Sequence, residues 1–134
     1  MGKKQFDYGM IGLGTMGRNL VYNMCDHGYA VAGFDKDPVK VEILEKEKGD
    51  YNSYGAGKLS DFIGALKKPR VILLLVPAGP VVDAVLNELK PLLSGNDLIM
   101  DCGNSHFADI VKKTGVDEIR NICVIDIRRE VAVF

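Results

Sequence analysis

The sequence is poor in the residues that mark several classes of protein. Its 134 residues include two histidines and three cysteines, and the basic and acidic residues nearly balance, leaving a net charge of −1. Cys25, Cys102 and Cys123 are widely spaced and form no C-x-x-C pair, which favours reduced thiols over a disulfide framework or a metal site. A general nucleic-acid binder carries a basic excess that is missing here. We therefore expect no metal and no nucleic-acid partner.

Long apolar runs are also absent. No stretch approaches the roughly 20 residues of a membrane span, and residues 1–7 lack the apolar core of a signal peptide. We therefore expect a cytoplasmic protein with no membrane partner. Hydrophobic residues make up 47% and charged residues 26% of the chain, which is typical of a globular protein. The length favours one domain that buries about two thirds of its unfolded surface.

What the sequence does contain is a glycine-rich turn between an apolar run and a helical pattern. Residues 8–19 are YGMIGLGTMGRN, a Gly-x-Gly-x-x-Gly pattern. Gly12 allows a sharp turn off a strand, Gly14 lets a pyrophosphate approach the backbone, and Gly17 lets the next helix pack closely. The N–H groups and positive dipole end of that helix would face the phosphates. A bare match is as often a simple glycine turn, so its context decides.

That context matches half of a dinucleotide-binding fold. An apolar face at helical spacing follows, formed by Met16, Leu20, Val21 and Met24. Gly28 suits the left-handed position that ends a helix. Residues 30–34 then predict a second strand, and Asp35 stands 18 residues after Gly17. An acid that hydrogen-bonds the adenosine ribose is expected at roughly 20 residues, so the order and spacing predict a Rossmann half.

The rest of the chain alternates between strands and helices. We predict strands at residues 6–11, 30–34, 71–76, 97–101 and 122–125. We predict further helices at residues 39–48, 59–66, 81–93 and 106–113, the first of them capped by Asp37 with Pro38 at its first position. Residues 51–57 are expected to form a turn-rich connection. This alternation predicts one α/β domain with a Rossmann-type, doubly wound parallel sheet and helices on both faces.

A basic cluster precedes the third predicted strand. Lys67, Lys68 and Arg70 have the composition of a phosphate-binding patch, and also that of an ordinary solvated loop. We favour the solvated loop.

Several motifs together resemble the opening of 6-phosphogluconate dehydrogenase. They are IGLGTMGRNL at 11–20, NM at 23–24, DHGY at 26–29, LKKPR at 66–70, PLL at 91–93 and GNS at 103–105. The resemblance covers about residues 6–109 and is far more specific than the glycine turn alone. Related 3-hydroxy-acid dehydrogenases of the hydroxyisobutyrate type usually carry Asp-x-Ser-Thr where residues 101–105 are DCGNS. The phosphogluconate branch is therefore favoured, and the hydroxyisobutyrate type is the alternative.

The resemblance implies an NAD(P)-dependent oxidoreductase of gluconate metabolism and the pentose phosphate pathway. Such an enzyme oxidatively decarboxylates 6-phosphogluconate to ribulose 5-phosphate. The resemblance assigns cofactor binding to Gly12, Leu13, Gly14, Thr15, Met16, Gly17, Asp35, Lys36, Asp37, Val76, Pro77, Ala78 and Asn104. It also implies that Asn104 contacts the substrate, since an amide offers both donors and an acceptor. The alternative for Asn104 is a turn residue that caps the next helix.

The residues after the second predicted strand favour NAD over NADP. The commoner NADP-dependent members of the family have Asn-Arg-Thr where this chain has Asp35, Lys36 and Asp37. A carboxylate repels a 2′-phosphate and accepts hydrogen bonds from a free 2′-hydroxyl. Pro77 replaces the lysine that is usual in the cofactor groove, which removes another positive charge. Lys36 and Arg18 keep NADP as the alternative, because either side chain has the reach to contact a phosphate.

The chain departs from the family after the fifth predicted strand. The family continues with Gly-Val-Ser-Gly-Gly and a long helical domain, whereas residues 128–134 are RREVAVF. We expect residues 1–127 to form the NAD(P)-binding domain, 128–134 to be a divergent tail, and the helical substrate and dimerisation domain to be absent. No residue is assigned as the catalytic base, because His27 and His106 suit structural roles at helix ends.

The missing catalytic half shapes the functional expectation. We expect the chain to bind a dinucleotide without turning over 6-phosphogluconate, and a non-catalytic dinucleotide-binding module is a further alternative. An exposed sheet edge or the apolar end of the tail would favour association, so a homodimer is also expected.

Overall fold

A six-stranded parallel sheet forms the centre of the computed structural model, which describes residues 5–76, 80–93, 97–101 and 122–124. The strands are β1 (Tyr8–Ile11), β2 (Val31–Phe34), β3 (Ser53–Gly55), β4 (Val71–Leu74), β5 (Leu98–Asp101) and β6 (Ile122–Val124). They lie in the order β3-β2-β1-β4-β5-β6, and every neighbouring pair is parallel. This is the strand order of a doubly wound dinucleotide-binding sheet, so the predicted fold is confirmed.

Helices cover both faces of the sheet. They are α1 (Thr15–Asp26), α2 (Pro38–Glu47), α3 (Leu59–Gly64) and α4 (Pro80–Leu89), followed by a 3₁₀ turn at Lys90–Leu92. One apolar core holds Val21, Val41 and Leu44 from α1 and α2. The other holds residues of α3 and α4, including Phe62 and Leu86. Within the described ranges, no helix is both long enough and apolar enough to cross a membrane.

The predicted helix ends next to the glycine turn are confirmed. The Val39 N–H donates to Asp37 Oδ1 at 3.0 Å, so Asp37 caps α2 and Pro38 takes its first position. Gly28 has φ of +92° just after α1, and its N–H donates to the carbonyl oxygen of Cys25 at 3.0 Å. A residue with a side chain is strained at such a φ, which is why the helix ends at a glycine.

Two local predictions are wrong. Residues 51–57 are more than a connection, because β3 pairs there with β2, with Ser53 opposite Val31. A three-residue strand that ends in glycine is too short to show alternation in the sequence. Met16 does not belong to the apolar face of α1, since it is 62% exposed. It stands in the first turn of the helix, beyond the end of the sheet, whereas Val21 reaches the core.

The predicted element ends shift by a few residues. The first strand begins at Tyr8, although Phe6 still pairs with Leu66 as an isolated bridge. The predicted helix 81–93 ends at Leu89 and tightens into the 3₁₀ turn, in which Pro91 cannot donate a helical hydrogen bond. The predicted helix at 106–113 lies outside the described residues.

The basic cluster before β4 is only partly a solvated loop. Lys67 and Lys68 are exposed, but Arg70 is buried, so the prediction is wrong for Arg70. Arg70 Nη1 donates to Asp97 Oδ2 at 3.0 Å, and the Arg70 backbone N–H donates to Asp97 Oδ1 at 2.7 Å. Arg70 Nε donates to the carbonyl oxygen of Ile63 at 3.1 Å. Arg70 and Asp97 precede β4 and β5, so they join these strands at their amino ends.

Candidate functional site

A cleft of about 320 Å³ opens at the carboxyl ends of β1, β2 and β4. Its lining residues are Ile11, Gly12, Gly14, Phe34, Asp35, Lys36, Lys40, Leu59, Leu75, Val76, Val81, Val85 and Glu88. Because β1 lies between β2 and β4, the chain leaves β1 and β4 toward opposite faces of the sheet and opens a crevice between them. Ligands of open α/β sheets bind at such a switch point.

Two glycines of the turn are required by the protein itself. Gly12 has φ of +102°, and a Cβ atom there would overlap the carbonyl oxygen of Leu75. A Cβ atom on Gly17 would overlap the carbonyl oxygen of Gly12, because α1 packs directly against the turn. The roles predicted for these glycines, a sharp turn and a close helix, therefore match the geometry.

Gly14 differs from the other two glycines of the turn. A Cβ atom on Gly14 would have no neighbouring atom within 4 Å, and its φ of −66° suits any residue. The protein's own packing and backbone dihedrals therefore do not require a glycine there, although glycine is among the residues favoured at a helix N-cap. Gly14 lines the cleft and stands at the N-cap position of α1, where helix N–H groups lack intrahelical partners. The sequence predicts that an anionic group approaches the backbone at this point, and the open space beside Gly14 is compatible with that prediction.

Asp35 links the end of β2 to the glycine turn. Its Oδ2 accepts a hydrogen bond from the Leu13 N–H at 2.8 Å, and its Oδ1 accepts one from the Asp37 N–H at 2.8 Å. An ionised carboxylate has about four acceptor positions, so two stay available for a ligand in the cleft. The sequence predicts a ribose ligand at this position, and the structure adds that the same carboxylate holds the turn in place.

The two cations that keep NADP as an alternative lie in different places. Lys36 lines the cleft, and its Nζ is 3.3 Å from Glu88 Oε1 on α4. Arg18 turns toward α2, where its Nε is 3.2 Å from Glu47 Oε2. Lys36 is therefore placed to meet a ligand in the cleft, whereas Arg18 is engaged on the helices beside it.

The remaining predicted residues are spread around the cleft. Val76 lines it, whereas the side chain of Leu13 is fully buried in the core with α1 and α2. Thr15 and Met16 are exposed in the first turn of α1, and Asp37 is exposed at the start of α2. Three other predicted residues lie outside the described residues: Pro77, Ala78 and Asn104.

Several lining residues escape the sequence analysis. They are Ile11, Phe34, Lys40, Leu59, Leu75, Val81, Val85 and Glu88. Val81, Val85 and Glu88 recur at i, i+4 and i+7, which is the spacing of one helix face. Since α4 follows β4 at the switch point, that spacing is a signal in the sequence by which these three residues could have been found.

Comparison with known proteins finds one enzyme family that matches most of the chain. The family model described as the NAD-binding domain of 6-phosphogluconate dehydrogenase matches residues 7–127. The decarboxylating 6-phosphogluconate dehydrogenase 1 of Saccharomyces cerevisiae is 46% identical over 104 residues, which are 77% of this chain and 21% of the yeast protein. The decarboxylating enzyme of Cunninghamella elegans is 41% identical over 120 residues, covering 89% of this chain and 25% of its own. The chain thus spans about a quarter or less of the curated relatives it matches.

Solved structures of two dehydrogenases superpose on most of this chain. The 6-phosphogluconate dehydrogenase of Plasmodium falciparum, described with its cofactor NADP⁺ and its substrate 6-phosphogluconate, superposes with a TM-score of 0.77 at 28% identity. The match covers 87% of this chain and 26% of that one. A 3-hydroxyisobutyrate dehydrogenase of Mycobacterium tuberculosis superposes with a TM-score of 0.69 at 18% identity, over 90% of this chain and 39% of that one. At that identity the second likeness shows the fold alone.

Proposed function

This chain belongs to the 6-phosphogluconate dehydrogenase family as an NAD(P)-binding domain, and we propose that the dinucleotide lies across the cleft with its pyrophosphate at Gly14. The observation that carries the proposal is the absence of any neighbour for a Cβ atom on Gly14, at the start of α1. The helix N–H groups and dipole there favour the phosphates. The adenosine ribose would then reach Asp35 at the end of β2, where two acceptor positions stay available.

The proposed cofactor site keeps the full set of residues predicted from the sequence. These are Gly12, Leu13, Gly14, Thr15, Met16, Gly17, Asp35, Lys36, Asp37, Val76, Pro77, Ala78 and Asn104. Leu13 would act indirectly, since its N–H binds Asp35 and its side chain is in the core. Asn104 is also proposed to contact the substrate.

We further propose that NAD binds more tightly than NADP. The Asp35 carboxylate lines the cleft and is held by two backbone N–H groups, so it cannot turn away from a 2′-phosphate without losing both hydrogen bonds. A free 2′-hydroxyl donates to the same carboxylate, whereas a phosphate is repelled by it. The Plasmodium enzyme is described with NADP⁺ as its cofactor, so the preference proposed here differs from that relative's.

Calorimetric titration with NAD and then NADP at fixed ionic strength tests this preference. We expect the native chain to bind NAD about tenfold more tightly, which corresponds to about 1.4 kcal/mol. Asp35→Asn should reduce the difference between the affinities for NAD and NADP, because it removes the charge that repels the 2′-phosphate. The amide also disturbs the hydrogen bonds to Leu13 and Asp37, but that disturbance would weaken both dinucleotides alike.

The two effects of Asp35→Asn are separable within one experiment. A lost charge changes the ratio of the two dissociation constants, whereas a disturbed turn changes both constants by the same factor. Asp50→Asn is the matched control, because Asp50 is exposed in the turn before β3 and lies outside the cleft lining. Tighter binding of NADP by the native chain, or an unchanged ratio in Asp35→Asn, would contradict the preference.

For the complete protein we propose oxidative decarboxylation of 6-phosphogluconate to ribulose 5-phosphate. The support is the family match over residues 7–127 and the names of the relatives. Residues 1–127 would be its dinucleotide-binding domain and residues 128–134 a divergent tail. We also propose a cytoplasmic location, which rests on the cysteine pattern, and a homodimer, which rests on the sheet edge and the apolar tail named in the sequence analysis.

A fusion of residues 1–109 to the corresponding remainder of the yeast relative tests the proposed substrate. With NAD and NADP both supplied, we expect reduced dinucleotide to form from 6-phosphogluconate and none above background from 3-hydroxyisobutyrate, with the yeast enzyme as the positive control. The unfused chain should form none with either substrate, because no residue in it is assigned as the catalytic base. Activity of the fusion with 3-hydroxyisobutyrate alone would favour the related dehydrogenases instead.

A further inference from the structure

An ion pair joins the two walls of the cleft. Lys36 extends from the end of β2, Glu88 extends from α4, and their charged atoms are 3.3 Å apart. Both side chains line the cleft. They are about half exposed, at 56% for Lys36 and 49% for Glu88, and pairs this exposed add little to folding stability. The more important consequence of the pair is therefore its effect on the charge that a dinucleotide meets in the cleft.

The position of Glu88 follows from the face of α4 that it occupies. Val85 and Val81 line the same cleft, one and two turns before Glu88 along this face. Glu88 therefore brings a negative charge to the wall opposite Asp35. Besides these two carboxylates, the described lining of the cleft contains two cations, Lys36 and Lys40.

We propose that Glu88 is a specificity-determining residue that acts through Lys36 to reject a 2′-phosphate. This inference rests on the proposed preference for NAD. Lys36 directly follows Asp35, so its ammonium is the cation best placed to compensate a phosphate beside that carboxylate. In the observed arrangement the ammonium is already paired with Glu88. A 2′-phosphate would have to draw Lys36 away and leave the Glu88 carboxylate facing it.

The effect falls on one dinucleotide only. A phosphate monoester carries about −1.5 to −2 charges at pH 7, whereas the 2′-hydroxyl of NAD is neutral. Removing the charge of Glu88 frees Lys36 and removes a repelling anion, and both changes favour NADP. Neither change alters the hydrogen bonds that a 2′-hydroxyl makes with Asp35.

Calorimetric titration of Glu88→Gln with NAD and NADP at low ionic strength tests the proposal. We expect NADP to bind about fivefold to tenfold more tightly than to the native chain, and NAD to stay within about twofold. The gain should shrink as salt is added, since the groups are exposed. Adding Lys36→Met to Glu88→Gln should abolish most of the gain.

A matched control separates local from global charge. Glu42→Gln makes the same change of net charge on the exposed surface of α2, away from the cleft lining, and should leave both affinities unchanged. If the native chain binds NAD and Glu88→Gln leaves NADP binding unchanged, this inference is overturned and the proposed function stands. A gain that persists without Lys36 also overturns it, because Glu88 would then repel the phosphate directly or act through Lys40. Failure of the native chain to bind either dinucleotide overturns the proposed function itself.

Discussion

Replacing Gly14 with valine should abolish dinucleotide binding and leave the fold intact. The backbone at Gly14 is extended, with φ of −66° and ψ of −173°, and a β-branched residue adopts this conformation readily. A Cβ atom there would meet no protein atom within 4 Å, so the side chain would fill space in which we place the pyrophosphate. We expect a loss of NAD affinity on the order of 100-fold or more, equivalent to about 2.8 kcal/mol. Calorimetry measures the affinity and thermal unfolding measures the fold.

Gly17→Ala provides the contrasting variant in the same turn. Its added methyl group would overlap the carbonyl oxygen of Gly12, so α1 would have to move off the sheet. We expect a clearly lower melting temperature together with lost binding, whereas Gly14→Val should lose binding with only the small loss of stability expected for a valine at a helix N-cap. If Gly14→Val binds NAD like the native chain, the pyrophosphate does not approach Gly14, and the proposed pose is wrong. If it melts like Gly17→Ala, the glycine serves the fold.

This contrast shows what a sequence pattern can and cannot predict about the site. The strand, the turn and the helix after it are local features, and all three follow from residues 6–28 with small shifts at their ends. The pattern assigns Gly14 and Gly17 different mechanical roles. Only the surroundings of each Cα reveal that the packing requires a glycine at 17 and leaves open space at 14, where we propose that the pyrophosphate binds.

The features missed by the sequence analysis are contacts between distant parts of the chain. Asp35 is read correctly as an acid at the end of β2, but its hydrogen bond to Leu13 depends on how the turn folds back over that strand. The pair of Lys36 and Glu88 likewise requires α4 to lie beside the end of β2. Periodicity describes the face of one element and carries no information on which charge lies opposite it.

Arg70 is the clearest case of such a contact. Its neighbours in sequence, Lys67 and Lys68, are exposed, so the local composition indicates a solvated loop. Its partner Asp97 lies 27 residues later and becomes adjacent because β4 and β5 are neighbours in the sheet. The consequences of losing Asp97 should therefore be those of a buried pair.

Asp97→Ala should lower the free energy of unfolding by about 3–5 kcal/mol. The side chain of Arg70 is 11% exposed and that of Asp97 is 1% exposed, so the substitution would leave a guanidinium charge and a backbone N–H of Arg70 without the carboxylate they bind. Small domains have about 5–15 kcal/mol of stability in total, so this loss is a large share of it. Urea unfolding followed by circular dichroism measures the change.

Two further variants keep this prediction testable if Asp97→Ala fails to fold. Asp97→Asn retains an acceptor for the backbone N–H of Arg70 and loses the charge, so its cost should be intermediate. Lys67→Ala breaks the more exposed pair with Asp7, in which Nζ and Oδ1 are 2.8 Å apart, and should cost at most about 1 kcal/mol. If Lys67→Ala and Asp97→Asn lowered the free energy of unfolding equally, burial would not determine how much these ion pairs contribute to stability.

Because Arg70 and Asp97 lie far from the cleft, their loss should affect stability without affecting ligand binding. Arg70 and Asp97 lie at the amino ends of β4 and β5, whereas the cleft opens at the carboxyl ends of the strands. Folded Asp97→Asn should therefore bind NAD with native affinity despite its lower stability, which is the reverse of the result expected for Gly14→Val. A weaker affinity in folded Asp97→Asn would mean that the two edges of the sheet are coupled, and that the crevice depends on how β4 and β5 are joined.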